Sequence, residues 1–165
     1  LSPRLVDRAA VITLPAADRR ALIRTAQSFE PQIISWAALS ALFSAGTTPL
    51  TGAPGEGLEE LISLTAAAGT PMSIRVQLAF EKAVLGGLNV FREDQKLGQS
   101  AADAALDCAA ASRLLPHLSG NGPDYRSALV NLLDAAHRRR LVRTAGLLKT
   151  MISRGDRALG YFSFL

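Results

Sequence analysis

The stretch that most constrains this chain of 165 residues runs from Pro123 to Gly155. Apolar residues recur in it at steps of three and four: first Tyr125, Ala128, Leu129, Leu132, Leu133 and Ala136, then Leu141, Ala145, Leu148, Met151 and Ile152. Each series forms one face of a helix. The basic cluster from His137 to Arg140 lies between them, Pro123 suits a first helical turn, and Gly155 suits a helix stop. The stretch therefore predicts two antiparallel helices that need similar neighbours to bury their faces.

Two other segments repeat parts of this pattern. Tyr161 lies 36 residues after Tyr125, and the sequence YFSFL that begins at Tyr161 is similar to the sequence YRSAL that begins at Tyr125. Upstream, SWAALSALFSAG places Trp36 ahead of small and apolar residues and ends in Gly46. A period in the thirties made of paired helices is typical of an α-solenoid.

The order of residues in the hairpin resembles the pentatricopeptide repeat. The first helix of that repeat opens near Tyr-x-x-Leu-Ile, and its second carries Ala-x-x-Leu-φ-x-x-Met, with φ apolar, before a Gly. The second pattern appears here as Ala145, Leu148, Lys149, Met151 and Gly155, with Lys149 at its apolar position and Met151 one residue earlier than the pattern places its Met. The resemblance implies an all-α fold, a right-handed α-solenoid-like stack of antiparallel helical hairpins.

We expect residues 1–165 to form a single repeat-like domain. Its units should start near residues 36, 76 and 125, with a partial unit near 161 and a loop insertion over 46–57. Further helices are predicted over Leu58–Ala68, over Pro71–Leu85 with Gly86-Gly87 closing it, and over Ser100–Leu115, where Ser100 is a cap. No window alternates in the way that predicts a strand beside a hairpin turn.

Composition indicates a folded, mildly basic chain with a net charge of +4 and no membrane span, because no apolar run approaches about 18 residues. Arg outnumbers Lys by 15 to 3, which favours nucleic acid or another acidic surface as a partner; alternatively, a GC-rich genome accounts for the Arg and Ala. The single Cys108 cannot form an internal disulfide, so we interpret it as a structural thiol of an intracellular or organellar protein.

No catalytic, cofactor or metal motif is present, and we expect no enzyme activity. His117 and His137 have no carboxylate at ligand spacing, so surface positions are expected for both. Two pairs of adjacent acidic residues are present, Glu59-Glu60 and Glu93-Asp94. The two side chains within each pair would point in different directions on a helix, so we interpret both pairs as parts of solvated faces.

The basic cluster is the main candidate site, because Arg can bridge phosphates bidentately. The predicted RNA-binding residues are Arg126, Ser127, His137, Arg138, Arg139, Arg140 and Arg143. The alternative is a solvated turn whose cations lie near a helix C-terminus.

The family resemblance implies an RNA-binding protein of a mitochondrion, or alternatively a chloroplast, within a ribosomal or RNA-processing assembly. It implies base-reading positions at Ala38, Leu78, Ser127 and Ser163, of which only the two Ser suit a polar contact. We therefore expect RNA to be bound mainly through phosphates. The second hypothesis is a helical protein-interaction scaffold without RNA binding, and a third is a bacterial helical bundle with a regulatory role.

Overall fold

The computed structural model describes residues 35–37, 50–91 and 98–164. The elements are α1 (Gly52–Ala67), α2 (Ile74–Val90), α3 (Ala101–Ala109), β1 (Ser119–Asn121), α4 (Gly122–Arg138), α5 (Val142–Arg157) and β2 (Tyr161–Ser163). A π-helical turn over Ala110–Leu114 and a 3₁₀ turn over Leu115–His117 continue α3. The described residues are mostly helical, which confirms the predicted all-α class.

The described helices share one hydrophobic core. Helix α2 packs on α3, α4 packs on α5, and α1 contacts α2, α3 and α4. Helix α5 also contacts α3 and β2. The largest fully buried side chains come from all five helices and from β2, among them Leu61, Phe80, Leu106, Leu129, Leu148 and Phe162. Burial of this apolar surface is the main term that stabilises the fold.

A side chain from α3 caps the start of α5. The N-cap residue of α5, Leu141, has no side chain that can accept a hydrogen bond. Asp107, which is only 4% exposed, instead accepts the Arg143 N–H at 2.8 Å and the Thr144 N–H at 2.7 Å. These N–H groups belong to the first turn of α5, where the helix itself offers no acceptor. The carboxylate thus fixes α5 to α3 across 37 residues of sequence.

Gln99 joins the same network to the turn between α4 and α5. Its Nε2 donates to Asp107 Oδ2 at 3.0 Å and to the Arg140 carbonyl at 2.6 Å. Arg140 has a φ of 55°, in the left-handed region that residues other than Gly and Asn seldom adopt. The hydrogen bond from Gln99 holds the Arg140 carbonyl of this tight turn.

The predicted loop over 46–57 is wrong for residues 52–57, which form the first turns of α1. Its Pro and Gly content indicated a loop, but Pro54 lies in the first turn, where no backbone donor is required. Gly57 and Leu58 are buried on the side of α1 that faces the core. Residues 46–49 lie outside the described residues.

Two predicted glycine stops are also wrong. Helix α2 continues through Gly86 and Gly87 to Val90, and α5 continues past Gly155 to Arg157. A Cβ on Gly87 would lie 2.8 Å from the Ala105 Cβ, and one on Gly155 would overlap the Phe162 ring. These glycines serve close packing between elements and do not end the helices.

The predicted partial helical unit at Tyr161 is wrong, because Tyr161–Ser163 is a strand that pairs with Ser119–Asn121 in an antiparallel ladder. Phe162 points into the core, whereas Tyr161 is 57% exposed. Tyr125 is buried instead, with its ring centroid 6.2 Å from that of Phe162. The likeness between YRSAL and YFSFL therefore does not reflect equivalent positions. Strands of three residues are too short to show an alternating pattern.

The remaining predicted unit starts fall within helices. Val76 lies in the first turn of α2, and Tyr125 lies in the first turn of α4. Trp36 is helical, but most of its unit lies outside the described residues. The predicted cap of α3, Ser100, is confirmed, and the structure adds that Asp103 completes a reciprocal capping box with it.

We predict that Asp107→Ala destabilises the protein more than Asp103→Ala. The first change removes a tertiary cap and leaves buried donors unpaired, at a cost of about 3 kcal/mol. The second removes a local cap only, at a cost of about 1 kcal/mol. Urea unfolding followed by circular dichroism measures both losses. Equal losses in the two variants would show that the contact between α3 and α5 adds nothing to ordinary capping.

Candidate functional site

The basic turn predicted from the sequence connects α4 and α5, and its Arg side chains are largely engaged within the chain. Arg138 NH2 lies 2.8 Å from Glu60 Oε1, and Arg139 Nε lies 2.5 Å from Glu60 Oε2. Arg140 NH1 donates to the Gly98 carbonyl at 2.9 Å. His137 is exposed. Two of the three consecutive Arg charges therefore share one carboxylate of α1.

Both Arg partners shift the pKa of the Glu60 carboxylate. Hydrogen bonds from Arg139 and then Arg138 lower the pKa of Glu60 below its usual value of 4.5, although partial burial acts in the opposite direction. The ion pairs tie α1 to the C-terminal end of α4. They also reduce the positive potential that the turn offers to a phosphate.

The other predicted RNA-binding residues of α4 lie near its N-terminal end. Arg126 forms a bidentate ion pair with Asp156 of α5, at 2.7 Å and 3.1 Å. Their hydrogen bond lowers the pKa of Asp156 and raises the pKa of Arg126. The Ser127 hydroxyl donates to the Pro123 carbonyl within the same helix.

The structure does not bring the seven predicted residues into one patch. Arg126 and Arg138 are separated by 12 residues of continuous helix. At 1.5 Å per residue this is about 18 Å along the axis of α4. Arg143 lies in the first turn of α5. Its side chain is exposed, and its backbone N–H donates a hydrogen bond to Asp107. The predicted cluster is therefore two separate groups.

Sequence reasoning missed a groove between α4 and α5, on the side that carries Arg126. We call it the α4–α5 groove, and its volume is about 430 Å³. Its floor is apolar and its rim is mostly basic: Val130, Leu133 and Ile152 form the floor, and Lys149, Arg157 and the Arg126–Asp156 pair form the rim. Val130 and Leu133 are only partly buried against the core.

Two cations of this rim, Lys149 and Arg157, differ from Arg138 and Arg139 of the turn because neither has a carboxylate partner among the described residues. Within the part of the chain that the structure describes, Lys149 forms no ion pair, and the Arg157 Nε donates to the Ser153 carbonyl. The segment from Gly122 to Arg157 contains eight basic and three acidic residues. Lys149 and Arg157 therefore give the groove positive charge that no carboxylate of the described residues neutralises.

A signal for the groove is present in the sequence. Arg126, Val130 and Leu133 follow each other at steps of four and three, as do Lys149, Ile152 and Asp156 in the reverse order of steps. Such steps place each trio on one helix face. We interpreted Lys149 only as a departure from an apolar repeat position, because which face meets solvent depends on tertiary packing.

The described residues contain no group of three or more His, Cys, Asp or Glu side chains arranged to hold a metal ion. A search of the same residues for a helix long and apolar enough to cross a membrane found none.

Fold and groove together define a helical domain with a small strand pair and, between α4 and α5, a groove with an apolar floor and a mostly basic rim. Residues 52–159 match the family model described as a domain of unknown function, DUF8727. This match spans more than half of the chain, so the chain belongs to the DUF8727 family. No curated protein and no solved structure matches the chain. The resemblance to the pentatricopeptide repeat stays a prediction.

We predict that Glu60→Gln weakens the dependence of stability on acid pH. The folded state holds the pKa of Glu60 below 4.5, so its contribution is fully present above about pH 4.5 and is lost as the pH falls through the lower folded value. At pH 7 the loss should be on the order of 1 kcal/mol, because the pair is partly solvated. Thermal unfolding between pH 7 and pH 3 measures the effect.

The matched control is Glu59→Gln, which changes an exposed neighbour that makes no ion pair among the described residues. This variant should retain more stability at pH 7 than Glu60→Gln. The same loss in both variants would contradict a specific role for the Glu60 pairs.

Proposed function

We propose that this chain is a protein-interaction module that binds an acidic, amphipathic segment of a partner protein in the α4–α5 groove. One observation carries the proposal: the groove combines an apolar floor with two rim cations, Lys149 and Arg157, that no carboxylate of the described chain neutralises. A partner that supplies apolar side chains flanked by carboxylates would satisfy both features.

The floor fits a helical partner. Val130 and Leu133 lie three residues apart on α4 and face Ile152 of α5 across the groove. An amphipathic helix that lies in such a groove presents apolar side chains at steps of three and four. Contacts of this kind supply most of the binding free energy when they are buried at the centre of an interface.

The charges of the rim determine which partners the groove favours. Lys149 and Arg157 flank the floor, and their charges are available because neither forms an ion pair within the described residues. Charges at the edge of an interface raise the association rate and select against partners of like charge. They favour acidic segments over neutral ones without requiring a buried ion pair.

A second candidate function is RNA binding, and the exposed side chains of Arg138 and Arg143 favour it. In this proposal the chain binds phosphates through its basic turn as part of an organellar ribonucleoprotein, most simply a mitochondrial one. A right-handed stack of hairpins is the architecture that belongs with it. It ranks second because Arg126, Arg138 and Arg139 already pair with carboxylates, which a phosphate would have to displace.

The first proposal predicts binding of a synthetic helical peptide of about 18 residues, which is five turns. The peptide carries Leu at positions i, i+3, i+4 and i+7 of each repeat and Glu at the flanking positions. Fluorescence anisotropy should show binding that weakens with salt, since the rim charges contribute. Lys149→Glu combined with Arg157→Glu should weaken binding by about tenfold, equivalent to about 1.4 kcal/mol.

Two controls make this experiment specific. Arg154→Glu changes an exposed cation of α5 that does not line the groove, so it should leave the affinity nearly unchanged. A peptide with Gln in place of every Glu should bind weakly to all variants. Equal weakening by Arg154→Glu and by the double change would indicate a general charge effect and contradict binding in the groove.

The second candidate predicts that the chain binds an oligouridylate with an affinity that falls steeply with salt. Arg138→Gln and Arg143→Gln should each reduce the slope of log affinity against log salt by about one. The Lys149 and Arg157 changes should have little effect on it. Binding of RNA that depends on Lys149 and Arg157 and not on Arg138 would move the RNA site to the groove.

A further inference from the structure

A second surface of the chain carries the opposite charge. It lies where α1 and α2 meet, and we call it the α1–α2 face. Ile74 is 76% exposed and Leu78 is 52% exposed, and they lie one turn apart on α2 beside the half-buried Ile62 of α1. Glu59 and Glu81 flank these side chains. This face has the same plan as the α4–α5 groove, with carboxylates in place of cations.

The acidic character of this face is built into its local structure. Glu81 accepts the Leu50 N–H at 3.1 Å, so its carboxylate is held at the edge of the apolar surface. Glu59 is exposed and makes no ion pair within the described residues. Residues 50–91 contain four acidic and two basic residues, whereas the hairpin of α4 and α5 is strongly basic.

We propose that the occupant of the α4–α5 groove is the α1–α2 face of a second copy of this chain. This inference rests on the proposed function and names the partner that it requires. No residue lines both surfaces, so each copy can use both at once. The resulting contact is head to tail, and repetition of it generates a ring or an open chain.

Charge selects this arrangement over a symmetric dimer. Two α4–α5 grooves facing each other would bring Lys149 and Arg157 close to their own copies. Two α1–α2 faces would do the same for Glu59 and Glu81. Like charges across an interface disfavour it, whereas the groove and the face are complementary in sign, and both offer apolar side chains.

The experiment is sedimentation velocity of the full chain over a range of concentrations and at two salt concentrations. We expect the average mass to rise with concentration, and to rise less at high salt. The groove variant, Lys149→Glu with Arg157→Glu, and the face variant, Glu59→Lys with Leu78→Lys, should each remain monomeric alone. All four positions are exposed, so both variants should fold. Arg154→Glu should associate like the unchanged chain.

A mixture of the two variants is the decisive measurement. The groove variant keeps an intact α1–α2 face, and the face variant keeps an intact groove, so an equimolar mixture should form dimers and nothing larger. Addition of the acidic helical peptide should dissociate these dimers, because both compete for the groove. Dimers that form only in the mixture would support the head-to-tail contact.

Three results would overturn the inference. One is an unchanged chain that stays monomeric at low salt and high concentration. Another is association that either variant abolishes and that the mixture does not restore, which indicates a symmetric contact. The third is a monomer in which the face variant changes hydrogen exchange within residues 1–49, because the chain's own N-terminal segment then covers the face. Peptide binding by a chain that stays monomeric would leave the proposed function intact. A chain that neither binds the peptide nor self-associates would contradict both proposals.

Discussion

The position of the C-terminal hairpin depends on one buried carboxylate. Asp107 accepts two N–H groups of the first turn of α5, one on each carboxylate oxygen, and the Gln99 side chain connects Oδ2 to the turn before it. The negative charge also lies at the positive end of a helix dipole, which favours it. Because α5 lacks a capping side chain of its own, α3 must be in place before this helix has a satisfied start. The hairpin is thereby fixed to the rest of the domain and is not an independent unit.

Some basic residues of the hairpin have carboxylate partners, and others do not. Arg138 and Arg139 are joined to Glu60 of α1, and Arg126 is joined to Asp156 within the hairpin. Lys149 and Arg157 remain without carboxylate partners in the described residues, and both border apolar surface. A count of basic residues cannot distinguish these groups. The unpaired cations beside partly buried apolar side chains are the stronger indication of a binding surface, because a partner does not first have to break an ion pair.

The sequence was sufficient for what local chemistry decides. Helical periodicity located α4 and α5, and Ser100 was correctly predicted as the cap of α3. The sequence was insufficient where residues far apart in the chain determine the local structure. Gly155 resembles a helix stop, yet it stays helical because Phe162 packs against it. The basic turn was located correctly, but its pairing with Glu60, 78 residues away, could not be predicted without the fold. The α4–α5 groove was missed for the same reason, since it exists only once two helix faces are aligned.

The constraints within the chain also bear on what the outer surfaces can do. Helix α5 buries Leu148 and Met151 on its inner side and is held at its start by Asp107, so Lys149 and Ile152 have little freedom to move relative to α4. A groove with fixed walls loses less conformational entropy on binding than a flexible one. On α2, Ile74 and Leu78 are exposed, while the other side of the helix is packed in the core through Phe80 and Val84. Both surfaces therefore present their apolar and charged side chains on rigid supports, as docking of one folded copy on another requires.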